Sequence, residues 1–143
     1  MQRLRYFLIF VLFLLTNCEY SFDIKQHLAG IDAVEFIYEK TKETNNLSIL
    51  ITNKRHRRHF VNSLVLQKTK NKKNFSKKIG KIIFHRKNVK VILLEGVLYA
   101  NNTNEFYFIC QNNQKEYIYK VENIGIELIK DMQQFPEIFN QMP

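Results

Sequence analysis

The sequence predicts an α+β fold: an N-terminal amphipathic helix, an antiparallel meander of about six strands, and a C-terminal helix. Three observations carry that reading. From Leu47 onward the apolar residues change from spacings of three and four to alternation, and β-branched and aromatic side chains dominate. Helical spacing returns after Val121, where Leu128, Met132 and Phe135 share a face. Only four glycines and two prolines punctuate the chain, so no linker-like stretch divides it.

Residues 1–18 stand apart from that domain. Arg3 and Arg5 lead ten apolar residues, Tyr6 to Leu15, about 15 Å of helix against a bilayer core of about 30 Å. The run is apolar on every face, which rules out a one-sided surface helix. A basic start, a short apolar stretch and a polar exit with small residues describe a secretory signal peptide. It ends in Leu15-Thr16-Asn17-Cys18. That tetrapeptide resembles the lipobox of bacterial lipoproteins, in which a leucine lies three residues before an acylated cysteine. Asn17 departs from the usual Gly, Ala or Ser and is similar to the relaxed form found in spirochaetes. The resemblance implies cleavage before Cys18, acylation there, and a membrane-anchored envelope protein. Cleavage by an ordinary signal peptidase near Thr16 to Cys18, with free secretion, is the alternative.

The remaining chain, about 125 residues, suffices for one core. Residues 19–30 are expected as a polar tether and 31–143 as a single domain. Ile31, Val34 and Tyr38 recur at helical spacing, with Asp32, Glu35, Glu39 and Glu43 on another face as a solvated carboxylate stripe. The strands are LSILIT, FVNSLVLQ, KIIFH, VKVILLEGVLYA, EFYFIC and EYIYKV. A four-residue loop, QNNQ, sets Phe108 opposite Tyr117, Phe106 opposite Tyr119 and Glu105 opposite Lys120. Lys87-Asn88 turns the third strand back on the fourth, with Phe84 against Val91. A curved meander with a closing helix looks like a pleckstrin-homology-type half-barrel, a likeness of element order alone. Cys110, in line with Phe106 and Phe108, is expected as a buried, inert thiol.

Charge is segregated. The formal net charge is +9, and no acid occurs between Glu43 and Glu95, an interval holding fourteen Lys and Arg. Two clusters dominate it: Lys54, Arg55, Arg57 and Arg58, and then Lys68, Lys70, Lys72, Lys73, Lys77 and Lys78. Both are expected in loops, at connections that leave a meander at opposite ends. Lysine-rich composition does not explain RHRR or the loss of acids, so the clusters point to a bound polyanion. The sparse aromatics among these cations, together with export, argue against nucleic acid. Asn53 to His59 looks like the short basic consensus of heparin-binding proteins, implying a sulfated polysaccharide; anionic lipid headgroups are a third candidate, because a tethered domain already lies close to a charged surface.

No catalytic constellation is visible. His56 and His59 flank two arginines that repel a metal dication, and no carboxylate or cysteine completes a site. No G-x-S-x-G, C-x-x-C or phosphate loop occurs. The reading is a non-enzymatic, lipid-anchored binding protein without cofactor or metal, whose partners are a membrane and a polyanion. The alternative is a structural subunit of an envelope complex, its basic face meeting an acidic protein surface. A deep pocket containing His85, Glu95 or Tyr99 would reopen the question of catalysis.

Overall fold

The alternating segments from Leu47 onward join an earlier strand in a seven-stranded antiparallel sheet, and the helices cover one of its faces. The computed structural model describes residues 22–39, 47–68 and 75–134. In chain order the elements are a one-turn helix α1 (Ile24–His27), β1 (Ala33–Tyr38), β2 (Leu47–Ile51), α2 (Lys54–Asn62), β3 (Leu64–Leu66), β4 (Lys77–Arg86), β5 (Val91–Ala100), β6 (Phe106–Asn112), β7 (Lys115–Val121) and α3 (Ile124–Gln134). The strand order is β2-β1-β4-β5-β6-β7-β3, so β2 and β3 are the two free edges and the sheet is not closed. The class is α+β, as expected. The expected uninterrupted meander is not present: after β2, the helix α2 carries the chain to the opposite edge, where β3 pairs with β7.

Alternate residues of each strand point to the helical layer. Phe36 on β1, Phe84 on β4, Phe108 on β6 and Tyr119 on β7 are all fully buried there. Their rings form a row. Phe60 drops from α2 onto it, edge-on to Phe36 at 5.0 Å and stacked with Phe84 at 6.1 Å. The row continues from Phe84 to Phe108 at 5.6 Å and from Phe108 to Tyr119 at 6.4 Å. Leu128, Ile129 and Met132 bring α3 into the same core, and Ile24 and Leu28 bring α1. Where α3 meets the end of α2, Gly125 leaves room for Ser63: a Cβ there would lie 2.0 Å from the Ser63 hydroxyl oxygen.

The helix expected from Ile31 onward is corrected to a strand. Ala33–Tyr38 pairs with β2 on one side and β4 on the other. A segment this short fits both periods, and pairing along both edges satisfies its backbone groups as well as a helix would. The strand buries Val34, Phe36 and Tyr38 together. Residues 19–30 are not all tether, since α1 forms there. FVNSLVLQ divides: Phe60 to Asn62 end α2, and only Leu64–Leu66 is strand. Phe135, expected on the last helix, lies outside the described residues, as does Glu43.

Both hairpins form with shifted registers. Asn113 and Gln114 make a two-residue turn with φ of 49° and 64°, which matches the right-handed twist of the flanking strands. Phe108 therefore faces Tyr119 and Cys110 faces Tyr117, a slip of two residues that leaves every side chain on its expected face. In the other hairpin a 3₁₀ turn at Lys87–Val89 and a left-handed Lys90 lengthen the connection, and Phe84 faces Leu94.

Candidate anion-binding site

The cluster Lys54, Arg55, Arg57 and Arg58 lies on a helix, not a loop. Asn53 caps α2, its side-chain oxygen accepting the backbone N–H groups of Arg55 at 3.0 Å and His56 at 3.2 Å. At the far end Ser63 donates its hydroxyl to the Phe60 carbonyl at 2.6 Å. The cap and the burial of Phe60 and Val61 fix the helix, so its cations are held in place.

Those cations are badly placed for helix stability alone. The first turn contains no acid, although the positive end of a helix dipole favours one. Lys54 and Arg58 are four residues apart, Lys54 and Arg57 three, and Arg55 and Arg58 three. Each like-charge pair at such spacing costs about 0.2–0.5 kcal/mol. Among the described residues, no carboxylate forms an ion pair with any of the four. The sheet's cations behave differently. Lys78 pairs with Glu39, Lys81 with Glu95 at 2.7 Å, and Lys120 with Glu105 at 2.6 Å.

Next to α2, the turn of α1 completes a cleft. Asp23 caps that turn, accepting the N–H groups of Lys25 at 2.9 Å and Gln26 at 3.4 Å. Between the helices lies a space of about 280 Å³ with Leu28, Ile31 and Val61 as apolar lining and Lys25, Lys54, Arg57 and Arg58 as its charged residues. Four cations around an apolar floor suit an anionic group: charge attracts it, and the floor lowers the dielectric around the contact. Arginine adds paired donors that match phosphate, sulfate or carboxylate oxygens. Lys25 was missed in the sequence because a single turn of helix is too short to display a period.

The second cluster does not join this cleft. Lys77 pairs across from Ala100 and Arg86 from Val91, so β4 separates its ends by about 30 Å. The α2 cations lie toward the Arg86 end. Lys77 and Lys78, expected in a loop, begin β4 at the other end, and Lys78 is held by Glu39. Lys68 is exposed just beyond β3. Lys70, Lys72, Lys73 and Cys18 lie outside the described residues.

On the face of the sheet turned away from the described helices, Glu35 and His85 form a pair that sequence spacing concealed. His85 Nε2 lies 2.9 Å from one Glu35 oxygen, and the Ser48 hydroxyl donates to the other at 2.7 Å. Burial opposes ionisation of Glu35, but the Ser48 and His85 contacts outweigh it and hold the carboxyl below its usual range. The carboxylate sits between hydroxyl and imidazole, so the imidazole is not placed to take the Ser48 proton as a nucleophilic triad requires. Glu95 and Tyr99 line an open hollow of about 560 Å³ with Phe75, Lys81, Gln111 and Glu116, and His85 is not among its walls. Burial pushes the Cys110 thiol up to about 12, with the Glu116 charge adding to it, which matches the inert thiol expected.

Among the described residues no group of three His, Cys, Asp or Glu is arranged to hold a metal, and no helix is long and apolar enough to cross a membrane. No family model matches the chain, and no curated protein or solved structure matches it.

Proposed function

We propose that this is a small exported protein, anchored through an acylated Cys18, that binds an anionic ligand through the α1–α2 cleft and carries out no catalysis. One observation supports this most strongly. On the sheet, Lys78, Lys81 and Lys120 are each paired with a carboxylate, whereas Lys54, Arg55, Arg57 and Arg58 gather at the positive end of a helix and form no ion pair among the described residues. An anion placed there relieves both the mutual repulsion and the unfavourable dipole. The ligand class is a polyanion, sulfated polysaccharide or anionic headgroup, and the segregated charge gives it long-range attraction.

Heparin affinity tests the reading. Arg57→Glu with Arg58→Glu should elute at much lower salt than wild type, and wild-type binding should fall steeply with ionic strength. Lys78→Glu, at the other end of the sheet, should elute much closer to wild type. Lys54→Glu should weaken binding while raising thermal stability by about 0.3–1 kcal/mol, because an acid then occupies the first turn. Equal retention of all four proteins would overturn the reading and favour the structural-subunit alternative.

A further inference from the structure

The basic cleft is one part of a larger surface. Asp32, leaving α1, accepts the backbone N–H of Lys87 and that of Asn88, the latter at 3.3 Å. The Arg86 side chain donates to the Gly30 carbonyl at 3.2 Å. His27 Nε2 lies 2.9 Å from the Leu93 carbonyl. These contacts bind α1 and its exit to the β4–β5 turn. The Lys87 N–H is the main cause holding Asp32 below the usual carboxylate range, and Arg57 is close enough to contribute. One end of the sheet thus presents the first half of α2, the turn of α1 and the tip of the β4–β5 hairpin.

The two acids of this segment offset only part of the positive charge carried there by Lys25, Lys54, Arg57, Lys87 and Lys90. Asp23 and Asp32 both accept backbone N–H groups. Lys87 and Lys90 are exposed at the tip, and the next two residues, Val91 and Ile92, are 45 % and 53 % exposed. Consecutive strand residues point to opposite faces, so this apolar pair marks an exposed tip and not a sheet face. Cations flanking exposed apolar side chains match the layering of a bilayer, anionic at its surface and apolar beneath. The chain also enters the described residues here: Phe22 has its ring 5.0 Å from those of His27 and Tyr117. Cys18 precedes it by four residues, a reach of at most about 14 Å.

The geometry points to this end of the molecule as a docking surface for an anionic lipid bilayer, with Lys54, Arg57, Lys87 and Lys90 against the headgroups and Val91 and Ile92 inserted. This rests on the anion-binding reading above and names its partner. A soluble polysaccharide accounts for the cations but leaves the apolar tip without a role.

The chain contains no tryptophan, so a single introduced indole reports its own surroundings. Full-length Ile92→Trp, reconstituted with vesicles of phosphatidylcholine and phosphatidylglycerol carrying brominated acyl chains, should show a blue shift and strong quenching. Asn102→Trp, at the opposite end of the sheet, should show neither. Both effects at position 92 should shrink in pure phosphatidylcholine and in Lys87→Glu/Lys90→Glu. Val91→Trp provides a second reporter should position 92 disturb folding. An unquenched indole at both tip positions, or equal quenching at positions 92 and 102, overturns the proposal, as does equal quenching in neutral vesicles. If heparin retention persists while the tip stays unquenched, only the bilayer falls. Loss of both removes the anion reading as well.

Discussion

Glu105 gathers four donors, of which the Thr103 hydroxyl, at 3.3 Å, is the farthest. Lys120 approaches one oxygen at 2.6 Å, while Asn101 at 2.7 Å and Tyr107 at 3.1 Å donate to the other. These contacts, the Lys120 ammonium foremost, bring its carboxyl down to about 2. A folded-state value below the unfolded one contributes stability that is complete above the unfolded value and is lost as pH falls through the folded one. The stability difference between wild type and Glu105→Gln should therefore hold above pH of about 4.5 and fade toward about 2. Thermal melts of both proteins across that window measure it. The pairing of Glu105 with Lys120 was legible in the sequence even though the register was not. The facing residue is Tyr107, and the ion pair forms on the diagonal, because a long lysine side chain spans the two-residue slip.

At the scale of elements, α2 depends on close contact at its C-terminal end. Ser63, buried and bonded to Phe60, meets Gly125 where only a hydrogen fits. Gly125→Ala should destabilise by about 1–3 kcal/mol through overpacking, outweighing the gain of about 1 kcal/mol in helix propensity, and urea unfolding would measure the net change. Alternation revealed β2, β5, β6 and β7, since each buries one face over five residues or more. It failed for β1, whose acids at Asp32, Glu35 and Glu39 imitate helical spacing although Glu35 is drawn to His85 from a neighbouring strand. It failed again for α2. Only Phe60 and Val61 of that helix are buried, so its face is written in cations, which carry no apolar period.

For the whole molecule, charge counting found the helix cluster but not its neighbours. Lys25 shares the cleft with it, and the pairing of β1 with β4 brings the turn that carries Lys87 and Lys90 against Asp32 at the same end of the sheet. Segregation of charge was a property of the sequence; assembly at one end is a property of the topology. The anchor proposed at Cys18 adds a prediction at this scale. Intact mass of the protein from its native membranes should show an increase of diacylglyceryl size that vanishes in Cys18→Ala. An unmodified chain starting near Glu19 would instead mean free secretion.

The crossover from β2 to β3 also sets an order of events. Beyond Ile51 the basic helix is fixed at its other end by β3, and β3 has β7 as its strand partner, Leu64 facing Val121. A chain made from its N-terminus therefore carries these cations long before it carries the strand that secures them. Closing so distant a pairing is entropically slow. A nascent chain halted before Lys115 would hold the full positive charge of α2, with Phe60 able to reach Phe36 and Phe84 but with no partner for β3, so the surface is secured at that side only after β7 is made.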